Sequence, residues 1–144
     1  MAFTGNFMCT SFKVELMKGI HNFDVGGNTF KLALYDNNAS FTAATTAYTS
    51  SDEVTGSGSY SSGGGTLTNV QPTATGTTAF TDFNDIPFTT ATITAYGAMI
   101  YNDTATGNPS VVILDFGGAK TSTNGTFQTI FPAATSSDAI IRIA

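Results

Sequence analysis

The chain has 144 residues, is 41% hydrophobic and carries a formal net charge of −5, so it is long enough for one domain with an ordinary core. No Lys or Arg lies between Lys31 and Lys120, whereas seven acidic residues do. Because phosphate binding requires clustered cations, this charge pattern excludes nucleic acid as a partner for most of the surface.

Targeting signals are not expected either. Residues 1–7 have neither the basic start nor the apolar run of a signal peptide. No stretch approaches the roughly 18 apolar residues of a membrane-spanning helix, and the one cysteine, Cys9, has no partner for an intrachain disulfide. We therefore expect no membrane partner and synthesis in a reducing compartment.

The N-terminal part is predicted to be a flexible arm over residues 1–10, followed by a single β-rich domain over residues 11–144. An amphipathic helix is predicted at about 11–23, with apolar residues near helical spacing at Phe12, Leu16, Ile20 and Phe23. Thr10 or Ser11 is the expected N-cap, and Gly26-Gly27 is expected to end the element.

The residues after the helix are predicted to be β. Residues 30–35 alternate in polarity and predict a strand with Phe30, Leu32 and Leu34 on the core face. Residues 45–65 are rich in Ser, Thr and Gly, which predicts an extended surface loop, with at most a short edge strand near Tyr48.

Turn residues separate the remaining apolar runs at regular intervals. They predict strands over residues 66–70, 77–83, 89–101, 111–116, 126–131 and 139–143. Gly97 predicts a bulge or bend in the long strand, and the apolar C-terminus predicts a paired final strand. The fold class is therefore mainly β: an antiparallel β-sandwich or barrel-like domain with one N-terminal amphipathic helix.

Nucleophilic catalysis has one candidate pair, Cys9 and His21. If both lay on one helix they would be separated by about three turns, which is too far for a hydrogen bond. We therefore interpret Cys9 as a buried structural cysteine, and predict no catalytic residue.

Acidic residues suggest two further kinds of site. Calcium could bind at Asp82 to Asp85 or at Asp52-Glu53, but neither has EF-hand spacing, and Asp in turns usually caps its own backbone. A glycosidase would need two of four carboxylates in one cleft: Asp82, Asp85, Asp103 and Asp115. Asp115 interrupts an apolar strand and is expected to pair with a backbone donor, Lys120 or Arg142.

The glycine-rich run over residues 56–65 is not interpreted as a phosphate loop. A phosphate cradle lies between a strand and a helix N-terminus, whereas the residues after this run predict a strand. We predict neither a cofactor nor a metal.

Six strings together resemble a family of small virion structural proteins of tailed bacteriophages, notably marine and cyanobacterial ones. They are residues 12–21 (FKxELxxGxH), 29–35 (TFKLALY), 92–101 (TITAxGAxIY), 114–117 (LDFG), 121–127 (TSTNGTF) and 139–143 (AIIRI). The resemblance covers nearly the whole chain. It departs at Tyr96, where sequences of this type often have a basic residue, so a charge contact made there by relatives is not expected here.

The resemblance implies a non-enzymatic virion protein, and we interpret it as a capsid decoration, or cement, protein on the exterior of the shell. Its implied partners are the major capsid protein and other copies of itself, as a homotrimer. The expected capsid or subunit contacts are Phe3, Phe7, Met8, Tyr48 and Tyr60.

The alternative hypothesis is a tail, neck or fibre-associated module that binds a host surface glycan or protein. Exposed Tyr48, Tyr60 and Tyr101 would then form the binding site together with Asp residues of the loops. A shallow groove lined by these tyrosines would favour this alternative.

Overall fold

The computed structural model describes residues 3–144. It is mainly β, with two antiparallel sheets in a sandwich-like arrangement and one short N-terminal helix. The sandwich prediction is confirmed, and the sheets do not close into a barrel. Met1 and Ala2, the first residues of the predicted arm, lie outside the described residues. No helix among the described residues is long and apolar enough to cross a membrane.

The structure has one helix and eight strands within residues 3–144. They are β1 (Phe7–Met8), α1 (Thr10–Met17), β2 (Phe30–Tyr35), β3 (Gly65–Thr66), β4 (Asn69–Thr75), β5 (Thr78–Phe83), β6 (Ile86–Asn102), β7 (Ser110–Thr129) and β8 (Ile141–Ile143). The larger sheet has the strand order β1-β7-β6-β2-β3, and the smaller sheet has the order β4-β5-β8.

The strand predicted over residues 30–35 is confirmed as β2, which pairs with the last part of β6 from Gly97 to Asn102. The predicted pairing of the C-terminus is also confirmed, because β8 pairs with Ala79 to Thr81 of β5. Both segments have apolar residues that are removed from water only when the segment joins a sheet.

β7 is one strand of 20 residues where the sequence predicted two separate strands. Gly117 and Gly118 have positive φ, at 73° and 135°, and form a bulge rather than a turn. Between the pairs Ala95↔Lys120 and Gly97↔Asp115, residues 116–119 of β7 stand opposite Tyr96 alone. The predicted bulge at Gly97 is thus confirmed, with the extra residues on the partner strand.

α1 is shorter than the predicted helix over residues 11–23. It ends at Met17 and is closed by Gly19, where φ is 72°. The Gly19 N–H donates to the Leu16 carbonyl and the Ile20 N–H donates to the Glu15 carbonyl, each at 3.1 Å. This is a Schellman motif, which a glycine after the last helical turn favours. The predicted end at Gly26-Gly27 was wrong.

The predicted N-cap was also wrong. Cys9 is the N-cap and makes no side-chain cap. The Thr10 N–H donates instead to the Ala43 carbonyl at 2.8 Å, so a long-range backbone contact satisfies a donor that a capping side chain would otherwise take.

The described part of the predicted flexible arm, residues 3–10, is attached to the larger sheet. Phe3 is 3% exposed and lies over Gly97, where a Cβ would overlap the Phe3 ring and the Leu114 carbonyl. Phe7 and Met8 pair with β7. The expectation of a free arm is corrected, since the aromatic residue at its start is removed from water only by packing on the domain.

Phenylalanine forms much of the core between the sheets, as the composition indicated. The rings of Phe23 and Phe30 are stacked at 4.4 Å, and Phe83 packs 5.6 Å from Phe30. Phe131 continues the cluster at 5.9 Å from Phe83. These contacts join the smaller sheet to the larger one, because Phe83 belongs to β5 and Phe30 to β2.

Candidate functional site

The long polar loop is organised around the carboxylate of Glu53. Its Oε1 accepts hydrogen bonds from the Tyr60 hydroxyl at 2.7 Å and from the Gly63 N–H at 2.8 Å. Its Oε2 accepts from the Tyr48 hydroxyl at 2.6 Å and from the Ser62 hydroxyl at 3.1 Å. We call Glu53 and these four donors the Glu53 hub.

The hub is connected to the larger sheet through two tyrosines. The Tyr60 hydroxyl also accepts a hydrogen bond from the Leu34 N–H of β2 at 2.8 Å. Tyr48 stacks on Tyr101 of β6 with ring centroids 4.6 Å apart, and Tyr101 donates to the Gly63 carbonyl. The predicted surface loop is therefore fastened to the sheet at several points.

Burial and the Glu53 charge both favour the protonated form of these phenols. Burial, followed by Glu53, raises the pKa of Tyr48 to about 12. Burial is also the first cause of the raised pKa of Tyr35, Tyr60 and Tyr101. The hub tyrosines therefore remain hydrogen-bond donors at neutral pH.

The environment of Glu53 differs from that of a calcium ligand. Hydroxyl and amide donors point at both of its oxygens, whereas a calcium site surrounds its ion with acceptor oxygens. The residues described by the structure contain no group of three or more His, Cys, Asp or Glu side chains placed to hold a metal ion.

His21 lies in a second buried network. Asn102 accepts hydrogen bonds from the N–H groups of Thr104 and Ala105, which fixes its amide orientation, and its Nδ2 lies 3.1 Å from His21 Nδ1. His21 Nδ1 is thus the acceptor, and Nε2–H donates to Glu15 at 2.8 Å. This network ties α1 to the end of β6.

Cys9 is fully buried, and burial raises the pKa of its thiol. A thiol that is removed from water and holds its proton is a poor nucleophile. Both ring nitrogens of His21 are hydrogen-bonded, Nε2 to Glu15 and Nδ1 to Asn102. The sequence's one candidate catalytic couple thus consists of a buried thiol and an imidazole that is hydrogen-bonded to other residues.

Each of the four carboxylates considered for glycoside hydrolysis has a hydrogen-bond or ion-pair partner, although Oδ2 of Asp82 is buried without one. The prediction of a backbone donor for Asp115 is confirmed, because it accepts from the N–H groups of Gly5 at 2.9 Å and Gly117 at 2.8 Å. Asp103 lies 3.3 Å from Lys31. Asp85 accepts from the Phe131 N–H at 2.8 Å, and Asp82, whose pKa is raised by burial, accepts from the Phe83 N–H. Three of these carboxylates thus hold backbone N–H groups, and Asp103 holds a lysine side chain.

The glycine-rich run packs against strands of the larger sheet. At Gly64, where φ is 86°, a Cβ would overlap the Leu32 carbonyl. Earlier in the run, the Ser57 and Ser59 hydroxyls accept hydrogen bonds from the N–H groups of Thr92 and Thr89, each at 2.8 Å. Close backbone approach accounts for the glycines without a phosphate.

The expected contact residues fall into two groups. Phe3 and Tyr60 are buried, at 3% and 1% exposure, so the expectation that they form surface contacts is corrected. Their rings fill the core of the monomer. Phe7, Met8 and Tyr48 are half-buried and retain surface for a contact.

Sequence reasoning missed a groove along the outer side of β7. It has a volume of about 440 Å³ and is lined by Phe7, Met8, Phe116, Ile130 and neighbouring residues. A second hollow of about 360 Å³ adjoins it through Phe116, Thr129 and Ile130. The available signal was Ile130 in the strand predicted over residues 126–131, where it lies on the same face as Gln128 and leaves an apolar side chain on the polar side. Phe116 and Thr129, which both line the groove, lie on either side of the β7 glycines.

The larger groove contains both apolar and charged side chains. Asp115 and Asp138 lie along it, with Arg142 at β8. Such a surface fits contact with another protein better than the binding of a small molecule, since the groove is open rather than enclosed. Comparison of this chain with known protein families, curated proteins and solved structures gives no match.

Proposed function

We propose that the protein is a non-enzymatic virion structural protein of a tailed bacteriophage, and that it decorates the outer shell as a cement protein. The resemblance of six sequence strings supports the virion assignment. The observation that carries the non-enzymatic part is the use of Glu53, His21 and Asp115 as internal hydrogen-bonding groups. The side chains with catalytic potential stabilise loops and strand ends.

In this role the protein would be made in the host cytoplasm and then bind the major capsid protein on the exterior of the shell, as a homotrimer. A rigid sandwich with fastened loops suits such binding, because little chain entropy is lost when it docks. A standard contact of roughly 800 Å² per partner, repeated by symmetry, would bind firmly through avidity. Tyr48 is the candidate residue for contact with the shell.

The alternative is a tail, neck or fibre-associated module that binds a host glycan or protein. It depended on Tyr48, Tyr60 and Tyr101 as an exposed platform. Tyr60 and Tyr101 are both buried, which leaves Tyr48 as the one half-exposed ring of the three. This placement favours the decoration proposal over a tyrosine-lined glycan site.

Electron microscopy of purified particles labelled with a gold-conjugated antibody against this chain tests the proposal. We expect label distributed over the shell. Label confined to the neck or tail would contradict decoration and support the alternative.

A further inference from the structure

The outward face of α1 is apolar and basic. Met17 is 83% exposed, Val14 is exposed on the same side of the helix, and Ile20 is exposed three residues beyond the helix end. Lys13 and Lys18 flank them and form no ion pair within residues 3–144, while the nearby Glu15 carboxylate is occupied by His21. We call these five residues, Lys13, Val14, Met17, Lys18 and Ile20, the α1 face.

The groove described above has the opposite properties. It is concave, and Asp115 and Asp138 outnumber Arg142 along it. Ile130 is 72% exposed in its wall, so apolar surface stays in contact with water in the monomer. We call the larger groove the β7 groove.

The two surfaces contain most of the exposed large apolar side chains of the described residues. There are six such side chains, and four lie on the α1 face or in the β7 groove: Val14, Met17, Ile20 and Ile130. Contiguous exposed apolar groups with a charged rim are typical of protein interfaces. Covering either surface with a partner would therefore remove apolar area from water and lower the free energy.

The shapes and charges of the two surfaces match each other. A contact between two α1 faces would oppose lysines to lysines, and two grooves cannot fill each other. The α1 face is convex and has two cations, whereas the groove is concave and has two carboxylates. Placing one in the other buries Met17 and Ile130 together and brings unlike charges opposite each other.

We propose that the α1 face of one copy docks in the β7 groove of a second copy. The contact is heterologous, so a suitable rotation closes it into a ring. Phe7 and Met8, which line the groove, are then subunit contacts. This contact would hold together the homotrimer of the proposed function. It rests on the proposed function only for the number of copies in the ring.

Sedimentation velocity of the purified full chain over a range of concentrations, at low salt, tests the contact. We expect the mass to rise above the 14.9 kDa of the monomer. Met17→Lys should raise the dissociation constant by about tenfold or more, because it places a charge in an apolar contact. Val25→Lys is the matched control, since Val25 is also an exposed apolar residue but lies outside both surfaces, and it should change nothing.

Reversing charges on both surfaces gives a test whose expected result, recovery in the double variant, misfolding would not produce. Lys18→Asp and Asp138→Lys should each weaken association, and the double variant should recover at least part of the loss, because it restores unlike charges across the contact. Circular dichroism confirms that each variant is folded.

Three results would overturn the contact: a monomer up to about 1 mM, association unaffected by Met17→Lys, or a double variant no better than the singles. A monomer that still labels the shell would overturn this contact and leave the decoration proposal intact. Association of the purified chain together with gold label at the tail would support this contact and overturn the decoration proposal.

Discussion

Among single residues, Glu53 organises the long polar loop. Its four hydrogen bonds join Tyr48, Tyr60, Ser62 and Gly63, and Tyr60 links them to β2. No periodic pattern in the sequence predicts this arrangement, since the partners lie in a polar loop and meet only after folding. The sequence did predict that Asp115 would pair with a backbone donor, Lys120 or Arg142, because an acid within an apolar strand must be paired, and the structure shows the first of these.

Glu53→Gln is expected to destabilise the protein by about 1–2 kcal/mol, because hydrogen bonds to a charged acceptor are stronger than those to an amide. The matched control is Asp52→Asn at the exposed neighbour, whose positive φ of 63° asparagine tolerates. It should change stability by less than about 0.5 kcal/mol. Urea unfolding measures both, and equal midpoints for the two variants would contradict the structural role of Glu53.

The hub tyrosines also predict how stability depends on alkaline pH. The pKa of Tyr48 rises from 10.0 to about 12 on folding, so the folded protein holds the phenol proton more tightly than the unfolded chain. The corresponding stability is complete below pH 10 and is lost as the pH rises from about 10 to about 12.

Tyr48→Phe removes this phenol, so its free energy of unfolding should fall less steeply over the same pH range. Urea midpoints measured at intervals across that range provide the comparison. Identical slopes for Tyr48→Phe and the parent protein would refute the assignment.

At the scale of elements, glycines determined where prediction succeeded and failed. β2 and β8 were predictable because apolar runs lie between clear breakers. α1 was predicted too long because Ile20 and Phe23 continue the helical spacing past Gly19, where the backbone reverses. β7 was divided because Gly117 and Gly118 resemble a turn, whereas β7 pairs with β6 on both sides of these unpaired glycines.

Gly97 is the position where β6 depends most on the absence of a side chain. Gly97→Ala should destabilise the protein by about 1–3 kcal/mol, because the new methyl group would overlap the Phe3 ring and the Leu114 carbonyl. The displaced Phe3 should also make the N-terminal residues more accessible to limited proteolysis.

The matched control is Gly125→Ala on β7, where a Cβ has only an ordinary contact of 3.6 Å. It should leave stability nearly unchanged. If Gly97→Ala were as stable and as protease-resistant as Gly125→Ala, the attachment of the N-terminal segment described here would be wrong.

For the whole molecule, charge and shape are distributed unequally. The residues from 32 to 119 contain seven acids and no Lys or Arg, whereas two of the five cations flank the outward face of α1. An acidic surface keeps free copies apart and soluble, and a local basic, apolar face permits one oriented contact. These features fit an abundant component of a symmetric assembly, which is the role we propose.

The copy number of this chain per purified particle tests that role most directly. Quantitative mass spectrometry against the major capsid protein would provide it. We predict a ratio near one or a simple fraction of the capsid count, because icosahedral symmetry repeats every contact on the shell. A count on the order of a dozen would match the rotational symmetry of a neck or tail and would contradict decoration.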